Sequence, residues 1–410
     1  MNNLAVNAAD GTLYPSAGID SQSIYEYFAG NERSKSKLRT TSVCFVGEKG
    51  EFKRPYRVYN RSLDEVPKYP YLRMMPEANI LLTAWRSHND KEPIEFETLD
   101  LTDMSKDNIA WLRANGELTN MAVNKAERLL AMAYRDESWR IDIRRTNNFQ
   151  LREVVHHPSP IIGLFFHKEM LVSLSNKLIV SYPEARNENC LLNSNSKVIG
   201  WAHHPTEPYM VIIEADRYYI VDLDKLRVVK KAEWTEQIKW FNLLRKYSNQ
   251  STNMQVKNCT AAFSKDGNRF LLGGYGKIAV FDWHDMLRPR CVQPKPENVV
   301  CIYSDDFCSK EHKGMLDAHI TDIVPLNRDK LLCVTSGGYM TMANIRTQER
   351  NLLLSPGNGV RINSIQLSAN GKRLAMAGYY YGIDGKGGCK VESALLIWKV
   401  SRLLSKASLI

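Results

Sequence analysis

Thr260-Ala-Ala-Phe-Ser-Lys-Asp-Gly-Asn-Arg-Phe-Leu-Leu-Gly-Gly-Tyr-Gly-Lys-Ile-Ala-Val-Phe-Asp282 decides the fold. A short apolar run, Thr260 to Phe263, is followed by Asp266-Gly267, a pair suited to a tight hairpin because glycine tolerates positive φ. A second run, Phe270 to Leu272, ends in small residues, and the alternation after Lys277 predicts a third strand, half-buried. The unit is thus strand, tight turn, strand ending in glycine, turn, strand. Ile362 to Gly378 repeats it, with Asn370-Gly371 at the turn and Leu395-Leu396-Ile397-Trp398-Lys399 as the third strand.

Weaker copies lie at Tyr71 to Leu99, Leu118 to Ile143, Ile161 to Tyr182 and Val198 to Leu223, and another runs from Asp317 through Val334-Thr335-Ser336-Gly337-Gly338 to Ile345. Most start points are separated by about 40 residues, the period of one blade of a radial β array. Two intervals are longer and carry insertions. The first, near 233–253, reads as an amphipathic helix, with Trp234, Ile238, Phe241 and Leu244 at helical steps. The second, 293–314, is polar and reads as a long loop. A radial array leaves open edges unless its ends share a strand, so Val43-Cys44-Phe45-Val46 or Tyr56-Arg57-Val58-Tyr59 is expected to complete the last sheet.

These copies resemble WD-repeat β-propellers, whose units have a Ser-x-Asp-Gly-like turn, a strand ending in Ser-Gly or Ala-Gly, and a closing Ile-Trp-Asp. Here the closing pairs are Phe281-Asp282 and Trp398-Lys399, and Asp317-Ala318-His319 is similar to the family's Gly-His. The resemblance implies an all-β, single seven-bladed β-propeller over 40–400, with a short helical insertion, an irregular N-terminal segment (1–39) and a tail (401–410). The repeats are degenerate. The His–Ser/Thr–Asp–Trp tetrad that often bridges a family blade is incomplete, since His319 lacks the Asp and Gly276 stands near that place in the best copy. The family implies a rigid, non-catalytic platform with protein partners.

Composition agrees with a water-soluble chain. There are 410 residues, 44% of them hydrophobic, mean hydropathy is -0.36, and neither a leader peptide nor a membrane anchor is visible, so a cytoplasmic or nuclear location is expected. The eight cysteines read as reduced thiols buried in strands, as at Cys44 and Cys333. Cys301 and Cys308 are the best metal-spaced pair, but only His312 lies near them.

No catalytic signature and no cofactor motif is present. His156-His157 and His203-His204 offer four imidazoles for a transition metal, against the simpler reading of His-Pro as a turn and packing choice. Gly273 to Lys277 and Gly382 to Gly388 run into strands and read as turns, not phosphate loops. Ile143-Arg144-Arg145-Thr146 is faintly similar to the Phe-Arg-Arg-Gly of phosphoinositide-binding propellers, without its flanking residues.

Two segments remain as binding candidates. In the helical insertion Trp234, Ile238, Trp240, Phe241, Arg245 and Lys246 combine the aromatic and basic residues enriched at interfaces, against the simpler reading that the apolar stripe packs on the neighbouring blade. Of the net charge of +10, much falls near the N-terminus, where Arg33, Lys35, Lys37, Arg39, Lys53, Arg54 and Arg57 offer a salt-dependent site for RNA or acidic phosphoinositide lipid. The expected function is a scaffold binding proteins through propeller faces and insertions, with the phosphate-directed binder as the alternative.

Overall fold

The computed structural model describes residues 4–6, 13–15, 45–46, 52–53, 57–61 and 68–74, and most of 79–404. Residues 239–259 and 303–319 lie outside the described part, as do several shorter turns and the rest of both termini. Five short strands come first: β1 (Leu4–Val6), β2 (Leu13–Pro15), β3 (Phe45–Val46), β4 (Phe52–Lys53) and β5 (Arg57–Arg61). Antiparallel four-stranded meanders follow. They are β6 (Lys68–Met74), β7 (Ile80–Ser87), β8 (Ile94–Asp100) and β9 (Lys106–Leu112); then β10 (Glu117–Asn124), β11 (Leu129–Arg135), β12 (Trp139–Arg145) and β13 (Leu151–His157). Next come β14 (Gly163–His167), β15 (Met170–Leu174), β16 (Lys177–Tyr182) and β17 (Asn187–Asn193), then β18 (Val198–His203), β19 (Tyr209–Glu214), β20 (Arg217–Asp222) and β21 (Arg227–Glu233). The stretch that opened the sequence reading forms β22 (Thr260–Phe263), β23 (Arg269–Gly273) and β24 (Lys277–Asp282), joined by β25 (Asn298–Cys301).

The last two sheets recruit N-terminal strands. β26 (Ile320–Pro325), β27 (Lys330–Thr335), β28 (Met340–Asn344) and β29 (Arg350–Pro356) are extended by β3 and β4. β30 (Arg361–Leu367), β31 (Arg373–Ile383) and β32 (Cys389–Lys399) are completed by β5, with Leu396 opposite Val58. Of the two runs expected to close the ring, the one containing Val58 does so, and the one containing Phe45 pairs with Pro356 instead. First strands adjoin first strands, β22 to β26, β26 to β30, β30 to β6 and β6 to β10, so the sheets radiate around an axis. This is a β-propeller.

Each copy read in the sequence coincides with the first three strands of a sheet; the fourth escaped notice. β21 shows why, with a burial pattern that alternates between exposed and half-buried. Outermost strands have solvent on one side, and their composition approaches that of a loop. For the same reason the stretch 293–314, read as loop, contains β25. A short helix, α1 (Trp283–Leu287), precedes it, capped by Asp282, and α2 (Val400–Leu404) follows the last strand.

The half-buried expectation for the strand after Lys277 is corrected. Ala279 and Phe281 pack toward the β18 sheet, while Ile278 and Val280 pack toward the β26 sheet, and all four are buried. A middle strand of a radial sheet has a neighbouring sheet on each face, so both of its faces are core.

Candidate interaction surfaces

An up-and-down sheet of four strands has two ends. At one, which we call the crossing end, lie the turns between second and third strands and the passages from each outer strand to the next inner strand. The opposite end holds the turns between first and second strands and the links between third and fourth. Because each meander has four strands, the same assignment holds from sheet to sheet.

Both long insertions belong to the crossing end. The chain leaves β21 at Glu233 and returns at Thr260; it leaves β25 after Cys301 and returns at Ile320. Their roots are pinned. Trp234 N donates to Asp216 O at 2.9 Å and Ile302 N to Gly276 O at 2.8 Å, each tying a departing chain to the turn of its own sheet. On the return side Ile320 N donates to Gly274 O at 3.1 Å, and Thr260 Oγ1 donates to Ile320 O at 3.0 Å. That last bond joins the return points of the two insertions. A Cβ placed on Gly273 would lie 3.2 Å from Thr260 O and 3.0 Å from Ile323 Cδ1, so a larger residue would push these segments apart.

Trp234 and Ile238, read either as partner contacts or as a stripe packed on the neighbouring blade, are buried in the core between the β18 and β22 sheets. The Trp234 ring packs on Tyr218 and Phe281 at centroid distances of 4.6 and 5.6 Å, and its Nε1 donates to Glu214 O. These two residues are therefore the insertion's anchor. Trp240, Phe241, Arg245 and Lys246 lie outside the described residues. So do Arg33, Lys35, Lys37, Arg39 and Arg54, whereas the backbones of Lys53 and Arg57 pair in β4 and β5. Beside the anchor, the buried Glu214 accepts a hydrogen bond from Ser194 Oγ and lies 3.6 Å from Arg217 Nε, a clasp that sequence reading missed.

The histidine pairs fall at opposite ends. His156 and His157 finish the outer strand β13 at the crossing end; His203 finishes the inner strand β18 at the other, and His204 follows it. Four imidazoles therefore cannot share one ion, and among the described residues no three His, Cys, Asp or Glu side chains cluster as metal ligands. Their roles are local. His204 donates from Nε2 to Gly267 O at 3.0 Å and accepts at Nδ1 from Glu207 N at 2.8 Å, against the face of Trp283. Burial depresses the pKa of both His157 and His203 to about 4, and lowers that of His204. Arg144, of the faint double-arginine motif, pairs with Asp142 at 2.9 Å. Of the described cysteines Cys333 is buried, with its thiol pKa pushed up, while Cys190 and Cys301 are exposed, against the expectation of buried thiols.

Comparison with solved structures gives the fold the same reading. A chain from a crystal structure of a mitotic checkpoint complex superimposes with a TM-score of 0.56 at 12% identity, covering 84% of this chain and 94% of that one. The β-propeller domain of Cps50 (Swd1) from Myceliophteria thermophila gives 0.55 at 10% identity, covering 84% and 99%. In fold this chain resembles WD-repeat propellers. No protein-family model matches the sequence, and no curated protein matches it by sequence. No helix among the described residues is long and apolar enough to cross a membrane.

Proposed function

We propose that this propeller is a seven-bladed, non-catalytic scaffold that holds protein partners at its crossing end, with residues 239–259 and 303–319 as the joint contact segments. The observation that carries this is the Thr260–Ile320 hydrogen bond, which brings the return points of both insertions together on a rigid base. The sheets begun by β6, β10, β14, β18, β22, β26 and β30 supply the blades, and β5 supplies the shared strand. Rigid positioning favours this role, because a loop rooted on ordered sheet loses less freedom on binding than a free one. One of the similar solved chains comes from a structure of a checkpoint complex, an assembly of proteins. In the first insertion the proposal names Trp240, Phe241, Arg245 and Lys246 as contact residues, with the buried Trp234 and Ile238 as the anchor of the segment.

Two variants test the reading: residues 240–257 replaced by a short Gly-Ser linker, and separately 304–317 replaced likewise. Each should keep the melting temperature of the parent and lose the same partners in quantitative affinity purification. Two folded variants that retain the full partner set would refute the joint surface.

A further inference from the structure

The end opposite the insertions carries a set of exposed cations. Several of its acidic side chains are neutralised within the protein, while Glu169, Glu207 and Glu349 have no Lys or Arg partner among the described residues. Asp224 meets Lys168 at 2.7 Å and His167 at 2.8 Å, Asp285 meets Arg288 at 2.8 Å, and Arg269 bridges Asp329 and Glu297 at 2.9 and 3.2 Å. Asp266 faces Arg328 at 3.6 Å. Left over are Arg128, Lys265, Arg290, Lys295, Arg346 and Lys372, all exposed, all in turns or links of this end, and none with an ion pair among the described residues. Five of the six sit on the β22, β26 and β30 sheets, which are consecutive in the ring. The tips of neighbouring sheets point one way, so these cations face a common plane.

We propose that this end docks electrostatically on an anionic lipid bilayer. Cations spread over three sheets and presented on one side match an extended anionic plane, where each adds its own attraction and all can act together. Single-stranded RNA is less well served. It binds by stacking bases on exposed aromatic rings, and the exposed large hydrophobics among the described residues are Leu151, Val154 and Val229, on the outer strands β13 and β21. The docking leaves the crossing end turned away from the membrane, free for a protein partner. It does not depend on the function proposed above, since it uses different residues at the other end.

The test is cosedimentation of the full chain with phosphatidylcholine vesicles, with and without about a third phosphatidylserine, at low salt and at about 0.5 M salt. Binding is expected only to the anionic vesicles and only at low salt. Lys265→Glu/Arg290→Glu/Lys372→Glu should weaken it on the order of 100-fold. Because those side chains have no ion-pair partner among the described residues, the melting temperature should not change. If this variant melts early, Lys295→Glu/Arg346→Glu serves in its place. Lys35→Glu/Lys37→Glu, in the N-terminal basic segment, should leave binding as it was. Equal binding to neutral vesicles overturns the proposal. So does full binding by the folded charge-reversed variants, loss of binding in the Lys35/Lys37 variant alone, or binding to single-stranded RNA without binding to vesicles.

Discussion

Single residues carry much of the local order. The third strands of several sheets end in a side chain that accepts from the backbone of the following turn. Asp222 takes Asp224 N and Lys225 N, Asp282 takes Asp285 N, and Asn344 takes Arg346 N and Thr347 N. These are Asx turns, which the sequence marks plainly. The two turn glycines look alike in sequence yet differ in space. Gly267 has φ of 77° and a Cβ there would lie 2.4 Å from His204 Cε1, whereas Gly371, at φ of 68°, has nothing within 4 Å. Gly371→Ala should cost about 1 kcal/mol, the conformational penalty alone. Gly267→Ala should cost about 3 kcal/mol, because the His204 ring must also move. Denaturant titration of the two variants separates these values.

Buried histidines set the response to acid. The folded-state pKa values of His157 and His203, about 4, lie below the ordinary value of 6.5, so between those limits the unfolded chain binds more protons. Stability should therefore rise with pH from about 4 to 6.5 and level off above, each group contributing a few kcal/mol. Asp322 works the other way. Its carboxyl, pushed up to about 6 by burial, contributes stability that is present at low pH and lost as pH rises through 6. Two histidines outweigh one such carboxyl, so the denaturation midpoint at pH 4.5 should fall below that at pH 7. His157→Gln should reduce the difference, and an unchanged difference would show that His157 is not a source of it.

At the scale of elements, closure is the decisive event. β5 supplies the outer strand that β32 lacks, and in a ring each sheet depends on packing against both neighbours. Removing residues 1–39 should leave the melting temperature within about 2 °C, and removing residues 1–61 should lower it by more than about 10 °C or prevent folding. Val58→Pro tests the same pairing with one residue, since proline supplies no backbone N–H. The insertion near residue 234 teaches a related lesson. Its helical spacing of apolar residues was legible, but whether that stripe faces a partner or the propeller was not. Trp234 and Ile238 settle inward because a gap between the β18 and β22 sheets, beside Tyr218 and Phe281, is there to receive them.

For the whole molecule, the meander imposes a polarity that no local feature announces. Four strands per sheet return the chain to the same end each time, and so place the roots of both insertions at one end and, at the other, cations with no ion pair among the described residues. The sequence by itself determined the repeat, its tight turns and the apolar runs of the first three strands, because these follow from local propensity and from periodicity along the chain. It also placed the insertions and the likeness to WD-repeat propellers. Only the tertiary structure decided which N-terminal run closes the ring, that the histidine pairs lie apart, that Trp234 is an anchor, and that Thr260 meets Ile320. Each of these depends on what lies across from a residue in a neighbouring sheet, and spacing along the chain does not encode that.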